Sequence, residues 1–134
     1  MIKHALQVLA LILLPTLLLA SLYAGALAAG PVVNTAIDEN DGSCTDGDCS
    51  LRDAIATAAN GDTITFDGDM TIYLTDTLQI FDRQLTIDGS GHTVTVSGDS
   101  GGDGSPNIQV FYVGGDATTH VTLTRLNIIS GTSS

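Results

Sequence analysis

From Thr63 onward the chain consists of short segments in which apolar and polar residues alternate, separated by turns rich in Asp, Gly and Ser. The segments span residues 63–66, 70–74, 84–87, 92–96, 108–113 and 120–129. Period-two alternation of Thr, Val, Ile and Tyr is typical of strands with one buried face, and no helical periodicity follows Asn60. The pattern therefore predicts an all-β fold for the larger part of the chain.

Three of these segments end in a glycine that follows a pair of alternating apolar residues. They are Leu85–Gly89, Val94–Gly98 and Leu126–Gly131. In addition, Ile64, Ile87 and Val110 recur 23 residues apart, a spacing at which three short strands make one coil of a parallel β-helix and equivalent apolar residues stack inward. A β-sandwich with hairpin turns would show the same alternation, so the repeat alone leaves both architectures open.

One short helix is predicted before the strands. Ser50 and Asp53 have the Ser-x-x-acid spacing that satisfies the free amides at a helix start, and Asn60-Gly61 can end the helix. Its apolar stripe consists of Leu51, Ile55 and Ala58. A helix of two to three turns is stable only when packed, so we expect it to cover the apolar end of the first coil. Arg52 is expected to pair with a nearby Asp and pin the helix, with anion binding as the alternative.

The first residues have the pattern of an export signal. Lys3 precedes an apolar run over residues 5–22, and small residues at positions 24, 26 and 28 suit a signal peptidase. We predict a signal peptide at 1–28, cleaved after Ala28, and a secreted or cell-surface protein. In the alternative the segment stays uncleaved and anchors the chain, because its length approaches the ~20 residues that cross a bilayer.

Cys44 and Cys49 are the two cysteines of the chain. Export would take them to an oxidising compartment, where a disulfide persists, so we predict that they bond to each other and fix the loop before the helix. Their CxxxxC spacing differs from a redox CxxC motif. A zinc site would need further Cys or His ligands close by.

Residues Cys49–Ile55 read CSLRDAI, follow Cys44 in an Asp/Gly-rich loop and precede Asn-Gly-Asp-Thr-Ile at 60–64. This arrangement resembles the CSLREA domain, which is found at the N-terminus of secreted bacterial parallel β-helix proteins. The resemblance runs from Val33 to Gly131 and departs from the pattern at Asp53, where the family usually has Glu. It implies a right-handed parallel β-helix of about three coils with a short N-terminal capping helix. CSLREA is a structural signature and implies no reaction.

The resemblance also implies a plan for the whole chain. A signal peptide at 1–28 is followed by a capping region at 29–61, with the disulfide loop and the helix, and by the first coils of the β-helix at 62–134. Longer members of the family continue with further coils, so we expect this chain to be an N-terminal fragment. Its open end would meet downstream coils or another copy of the chain.

Removal of the signal peptide leaves three arginines against all 15 acidic residues. Such a field repels phosphate backbones, which excludes nucleic acid as an expected partner, and it disfavours anionic lipid surfaces and polyuronates unless a cation intervenes. Contact with a membrane is therefore expected only through the signal segment, if that segment stays uncleaved.

Calcium is the cofactor that the acidic loop suggests, although the pattern does not match an EF-hand loop. The candidate ligands are Asp38, Asn40, Asp41, Asp46 and Asp48. In the alternative these residues are oxygen-rich turn formers that bind no ion.

A catalytic constellation is not recognisable in the sequence, because the serines and histidines lack a nucleophile motif and the lone Asp residues lie in turn segments. We expect a non-catalytic secreted or surface protein, the cap of an adhesin-like or passenger β-helix that presents loops to carbohydrate or to other surfaces. The alternative is the N-terminal part of a pectinase-like polysaccharide lyase or glycoside hydrolase. The turn Leu85–Gly91 resembles one near the start of those enzymes, which place their catalytic residues on later coils.

Overall fold

The computed structural model describes residues 29–133, and the predicted signal peptide at 1–28 lies outside this range. The described chain contains one helix and nine strands, and every strand pairing in its sheets is parallel. The predicted all-β fold with one short helix is confirmed. Within residues 29–133, no helix is long and apolar enough to cross a membrane.

The elements are short and follow one another closely along the chain. The helix, α1, spans Leu51–Thr57. The strands are β1 (Val32–Val33), β2 (Thr63–Phe66), β3 (Met70–Tyr73), β4 (Leu78–Phe81), β5 (Gln84–Asp88), β6 (Val94–Ser97), β7 (Phe111–Gly114), β8 (His120–Thr124) and β9 (Leu126–Ile129).

The chain visits three sheets in a repeating order. β1, β2, β5 and β8 form the first sheet, β3, β6 and β9 the second, and β4 and β7 the third. The strands β2, β3 and β4 thus make a first pass through the sheets, β5, β6 and β7 a second, and β8 and β9 the start of a third. Equivalent strands of successive passes lie side by side, so that Ile72 pairs with Val96, and Val96 pairs with Ile128.

The core is a set of apolar stacks that run from pass to pass. Alternate side chains of each strand point inward, as the period-two pattern predicts. The stacks are Ile64–Ile87–Leu123, Ile72–Val96–Ile128 and Ile80–Val113. Their first- and second-pass members on the first two sheets are at most 1% exposed, and full burial of each such side chain contributes about 1.5–3 kcal/mol.

Helix α1 packs at the first-pass end of these stacks, next to β1. The predicted apolar stripe is buried, with Leu51 1%, Ile55 5% and Ala58 8% exposed. The helix ends at Thr57 with Ala58 as its C-cap, so the prediction that Asn60-Gly61 ends the helix is wrong. Gly61 instead adopts φ 92° in the turn that leads into β2. The left-handed backbone at this position suits glycine, which explains the Asn-Gly signal in the sequence.

The recurring glycines of the repeat lie where one pass of the chain approaches the next. A Cβ atom on Gly89 would overlap the carbonyl oxygen of Arg125, and one on Gly98 would overlap the carbonyl oxygens of Ile108 and Ser130. Only glycine allows the backbones to approach this closely. The repeat therefore records contacts between passes as well as local turns.

The structure corrects the expected 23-residue spacing at its third position. Ile64 pairs with Ile87 as predicted, but the next partner of Ile87 is Leu123 rather than Val110. Val110 precedes β7, and its carbonyl oxygen accepts the N–H of Leu78 at the start of the third sheet. A loop over residues 98–107, between β6 and β7, lengthens the second pass and moves the register.

Two strand assignments also differ from the prediction. Residues 120–129, predicted as one segment, divide at Arg125, whose φ of 52° turns the chain from the first sheet to the second. Strand β4 was not predicted, although Leu78 and Ile80 alternate with polar and exposed neighbours between two Asp-containing turns. Four residues between turns give a weak strand signal, and pairing with β7 stabilises them.

Candidate functional site

The predicted capping residues and cysteines form one connected unit at the start of α1. Cys44 and Cys49 form the predicted disulfide. Ser50 is the N-cap, and its hydroxyl oxygen accepts the N–H of Asp53 at 3.0 Å. The buried Asp53 carboxylate lies 2.8 Å from that hydroxyl and accepts the N–H of Gly42 at 2.9 Å. The cap thus holds the disulfide loop against the helix as well as closing the helix start.

Arg52 forms the ion pair that the sequence predicts. Its Nε and Nη2 atoms donate to the two carboxylate oxygens of Asp38, at 2.9 and 2.7 Å. The guanidinium also donates to the carbonyl oxygens of Asp76 and Thr77, in the turn before β4. Asp38 in addition accepts the N–H and the hydroxyl of Thr75. This network ties the loop, α1 and the β3–β4 turn together.

The ion pair sets the protonation of Asp38. Burial raises the pKa of this carboxyl, but the hydrogen bonds from Arg52 and Thr75 outweigh burial and hold the pKa below its ordinary value of 3.8. Because the Asp38 side chain is only 1% exposed and Arg52 15% exposed, solvent screens this pair less than an ordinary surface pair.

The proposed calcium ligands do not converge on one point. Asp38 is bound to Arg52 and Thr75, and Asn40 lines the groove described below. Asp41 accepts the N–H of Ser43, which lowers its pKa, but the nearby carboxylates of Asp46 and Asp53 together with desolvation outweigh that bond and raise the pKa. Among residues 29–133, no three Asp, Glu, His or Cys side chains are grouped as metal ligands would be.

A groove of about 340 Å³ lies between α1 and β4. Two of the three arginines that follow the predicted signal peptide line it, together with aromatic, amide and apolar side chains. The lining residues that carry chemistry are Asn40, Arg52, Asp76, Gln79, Phe81 and Arg83. Concave sites with a few fixed polar groups and an aromatic wall are where small ligands usually bind.

Arg83 lies at the C-terminal end of α1. Its Nη1 atom donates to the carbonyl oxygen of Ile55 at 2.7 Å and of Ala58 at 3.4 Å. These are carbonyl groups that a helix end leaves without intrahelical partners, and a cation is favoured there. Arg83 has no carboxylate within ion-pair distance in the described part of the chain, unlike Arg52.

An exposed aromatic pair continues the groove across the outer face of the third sheet. The rings of Phe81 and Tyr112 have centroids 5.6 Å apart and are tilted by 55°. Phe81 is 42% exposed and Tyr112 47% exposed. Gly114 in β7 pairs with Phe81 in β4 and leaves room for both rings, because a Cβ atom on Gly114 would lie 2.7 Å from Phe81 Cε1.

Acidic residues of the turns accept backbone N–H groups, either within the turn or from the next pass of the chain. Asp88 accepts the hydroxyl and the N–H of Ser90, which hold its pKa below the ordinary value. Asp69 accepts the N–H of Thr93, and its carboxylate lies 3.6 Å from the His92 ring. The Asp88 contacts are those of a turn former, whereas Asp69 joins its turn to the next pass.

The third-pass end of the stacks is uncovered in the described structure. Leu123, Ile128 and Val113 are the last inward residues of their stacks and are 39%, 45% and 48% exposed. Their second-pass or first-pass neighbours in the same stacks are fully or almost fully buried. We call this surface, formed by the inward side chains of β7, β8 and β9, the open end.

The roles of Ser50, Arg52 and Asp53 were predictable from the sequence, whereas the groove was not predicted. A signal for it was present, because Phe81 and Arg83 place an aromatic ring and one of few cations two residues apart in a very acidic chain.

Comparisons with protein-family models, curated proteins and solved structures found no match to this chain.

Proposed function

We propose that this chain forms the N-terminal cap and first coils of a secreted, non-catalytic, right-handed parallel β-helix of the adhesin-like or passenger kind. In this proposal each pass through the three sheets is one coil, and the region 29–61 is the cap. The right-handed sense follows the general rule for connections between parallel strands of one sheet. The disulfide supports an oxidising location, in keeping with export.

The observation that carries the proposal is the difference between the two ends of the apolar stacks. In the stack of the second sheet, Ile72 is 1%, Val96 0% and Ile128 45% exposed. All three residues are branched aliphatic and point inward, so their exposure depends on their position along the stack. One end is covered and the other is not, as expected of a terminal coil unit whose cap occupies one side.

The cap side is built to exclude further strands. Helix α1 and the disulfide loop lie at the first-pass end, where Arg52 and Asp38 join both to the β3–β4 turn. A covered edge cannot serve as a template for another strand, which is how proteins protect the ends of their sheets.

The open end offers the opposite surface. It presents apolar side chains in the spacing of a coil, next to the outer edges of β8 and β9. Exposed apolar surface beside unpaired strand edges favours the addition of further strands. We propose that further parallel coils cover this end, and that a second copy of the chain covers it when the chain is studied alone.

A pair of neighbouring residues tests this proposal. Ile128 points inward at the open end, whereas Ile129 points outward, and the two are equally exposed, at 45% and 47%. Sedimentation velocity over a range of concentrations should show self-association of the exported chain, its loss in Ile128→Lys, and its retention in Ile129→Lys. A wild-type chain that stays monomeric at all concentrations, or two variants that behave alike, would refute the open end as a docking surface.

A further inference from the structure

The groove between α1 and β4 contains a cation whose bonding capacity is only partly used. Arg83 donates from Nη1 to the helix-end carbonyl groups of Ile55 and Ala58, and its Nε and Nη2 atoms have no acceptor among residues 29–133. Capping the helix therefore uses one of the three nitrogen atoms of the guanidinium, and Arg83 lines the groove with two nitrogen atoms still free to donate. Arginine presents its donors in a planar fork that matches a carboxylate.

The same groove provides a fixed apolar wall. Phe81 lines it and packs against the Tyr112 ring, and both rings lie over Gly114, where a Cβ atom would overlap them. Exposed aromatic rings held in one orientation provide contact area with little loss of conformational freedom on binding. The flat apolar face of a sugar ring suits such a surface.

The other polar groups of the groove suit hydroxyl groups. Asn40 and Gln79 supply side-chain amides, which both donate and accept hydrogen bonds. Arg52 is occupied by Asp38 and by two carbonyl oxygens, and Asp76 accepts the N–H of Thr77, so both form fixed walls. One cation is therefore left for one anionic group.

We propose that this groove binds a saccharide that carries a single uronic acid residue among neutral sugars, with its carboxylate on Arg83 and a sugar face on Phe81. The excess of 15 acidic residues over four basic ones repels densely charged polyanions. A ligand with a single carboxylate carries one negative charge, so the acidic chain repels it less than a polyanion. That carboxylate also gains an ion pair with the Arg83 guanidinium. The site uses outward side chains of the third sheet, such as Phe81, whereas the open end consists of inward side chains of β7, β8 and β9.

The test uses two oligosaccharides and isothermal titration calorimetry on the exported chain. The first is a neutral oligosaccharide with one glucuronate substituent, and the second is the same compound with that carboxyl group reduced to the alcohol. We expect the glucuronate compound to bind and the reduced compound to bind about tenfold more weakly or worse. Equal binding of the two would overturn the role of the carboxylate, and no heat of binding up to about 5 mM would overturn the site.

Three substitutions complete the test, two of exposed aromatic residues and one of Arg83. Phe81→Ala removes the ring of the groove and should weaken binding about tenfold. Tyr73→Ala removes a ring of similar exposure, 47%, on a strand of a different sheet and should leave binding unchanged. Arg83→Gln should abolish the preference for the glucuronate compound over the reduced one, a difference that lower stability alone would not produce. Equal effects of Phe81→Ala and Tyr73→Ala would contradict the proposed location.

Discussion

The Asp38 carboxylate joins the loop before the helix to α1 and to the β3–β4 turn, so its replacement has a calculable effect. Asp38→Asn keeps the shape of the side chain but removes its charge. It also places an NH₂ group, which can only donate, next to the donor groups of Arg52 and Thr75. Four hydrogen bonds end at the carboxylate, two from Arg52 and two from Thr75. Bonds to charged groups contribute about 1.5–3 kcal/mol each, and breaking a buried ion pair costs about 3–5 kcal/mol.

The expected loss lies at the lower end of that range. Arg52 is 15% exposed and keeps the carbonyl oxygens of Asp76 and Thr77 as acceptors. We therefore expect Asp38→Asn to lower the free energy of unfolding by about 3 kcal/mol. For a domain of this size the melting temperature should fall by about 12 °C, from about 4 °C per kcal/mol. Urea unfolding followed by circular dichroism measures the free energy of unfolding, and thermal unfolding followed in the same way measures the melting temperature.

The pH dependence gives a second check with a definite sign. The folded pKa of Asp38 is lowered, so its contribution is present above the unfolded value near 3.8 and is lost as the pH falls through the folded pKa. The difference between wild type and Asp38→Asn should be full at neutral pH and shrink below about pH 4.

The control is the same substitution on the same loop. Asp41 is exposed and accepts one N–H, from Ser43, so Asp41→Asn should change stability by less than about 0.5 kcal/mol. Equal stability of wild type and Asp38→Asn, or a difference that persists unchanged at the lowest pH at which the chain folds, would refute the role assigned to Asp38.

Three further predictions concern the cap, the backbone contacts and the acidic loop. Replacing Cys44 and Cys49 by serine should lower the free energy of unfolding, measured in urea, by about 2 kcal/mol. Thiol titration of the denatured, unreduced wild-type chain should find no free thiol, and two free thiols would refute the disulfide. Gly98→Ala should destabilise the chain by more than about 2 kcal/mol, because its Cβ would overlap backbone oxygens, whereas Gly68→Ala, with open space around it, should have little effect; similar melting temperatures for the two variants would contradict the close approach of the passes. Chelation of calcium should leave the melting temperature unchanged, because Asp38 is held by Arg52 and Thr75, and a rise on adding calcium would reinstate the acidic loop as a cation site.

The sequence predicted those features that depend on local chemistry. The alternation placed most of the strands, Ser50 and Asp53 marked the helix start, and the spacing of the apolar stripe identified the buried face of α1. Each of these signals arises within a few residues, where side-chain orientation and free backbone amides decide the structure.

Features that depend on contacts between distant segments were harder to predict. The 98–107 loop shifts the register of the later strands, and nothing near Val110 indicates that it precedes a strand of the third sheet. The groove likewise combines α1 with the end of β4, about 25 residues later in the chain. Arg83 and Phe81 look like ordinary turn and strand-end residues until the helix is placed beside them.

Hydrogen exchange of the chain at two protein concentrations tests most directly whether the open end receives further strands. If a second copy covers that end, peptides from β8 and β9 should become more protected at the higher concentration, while peptides from β3 and β6 should be equally protected at both. Protection of β8 and β9 that does not change with concentration would contradict the account.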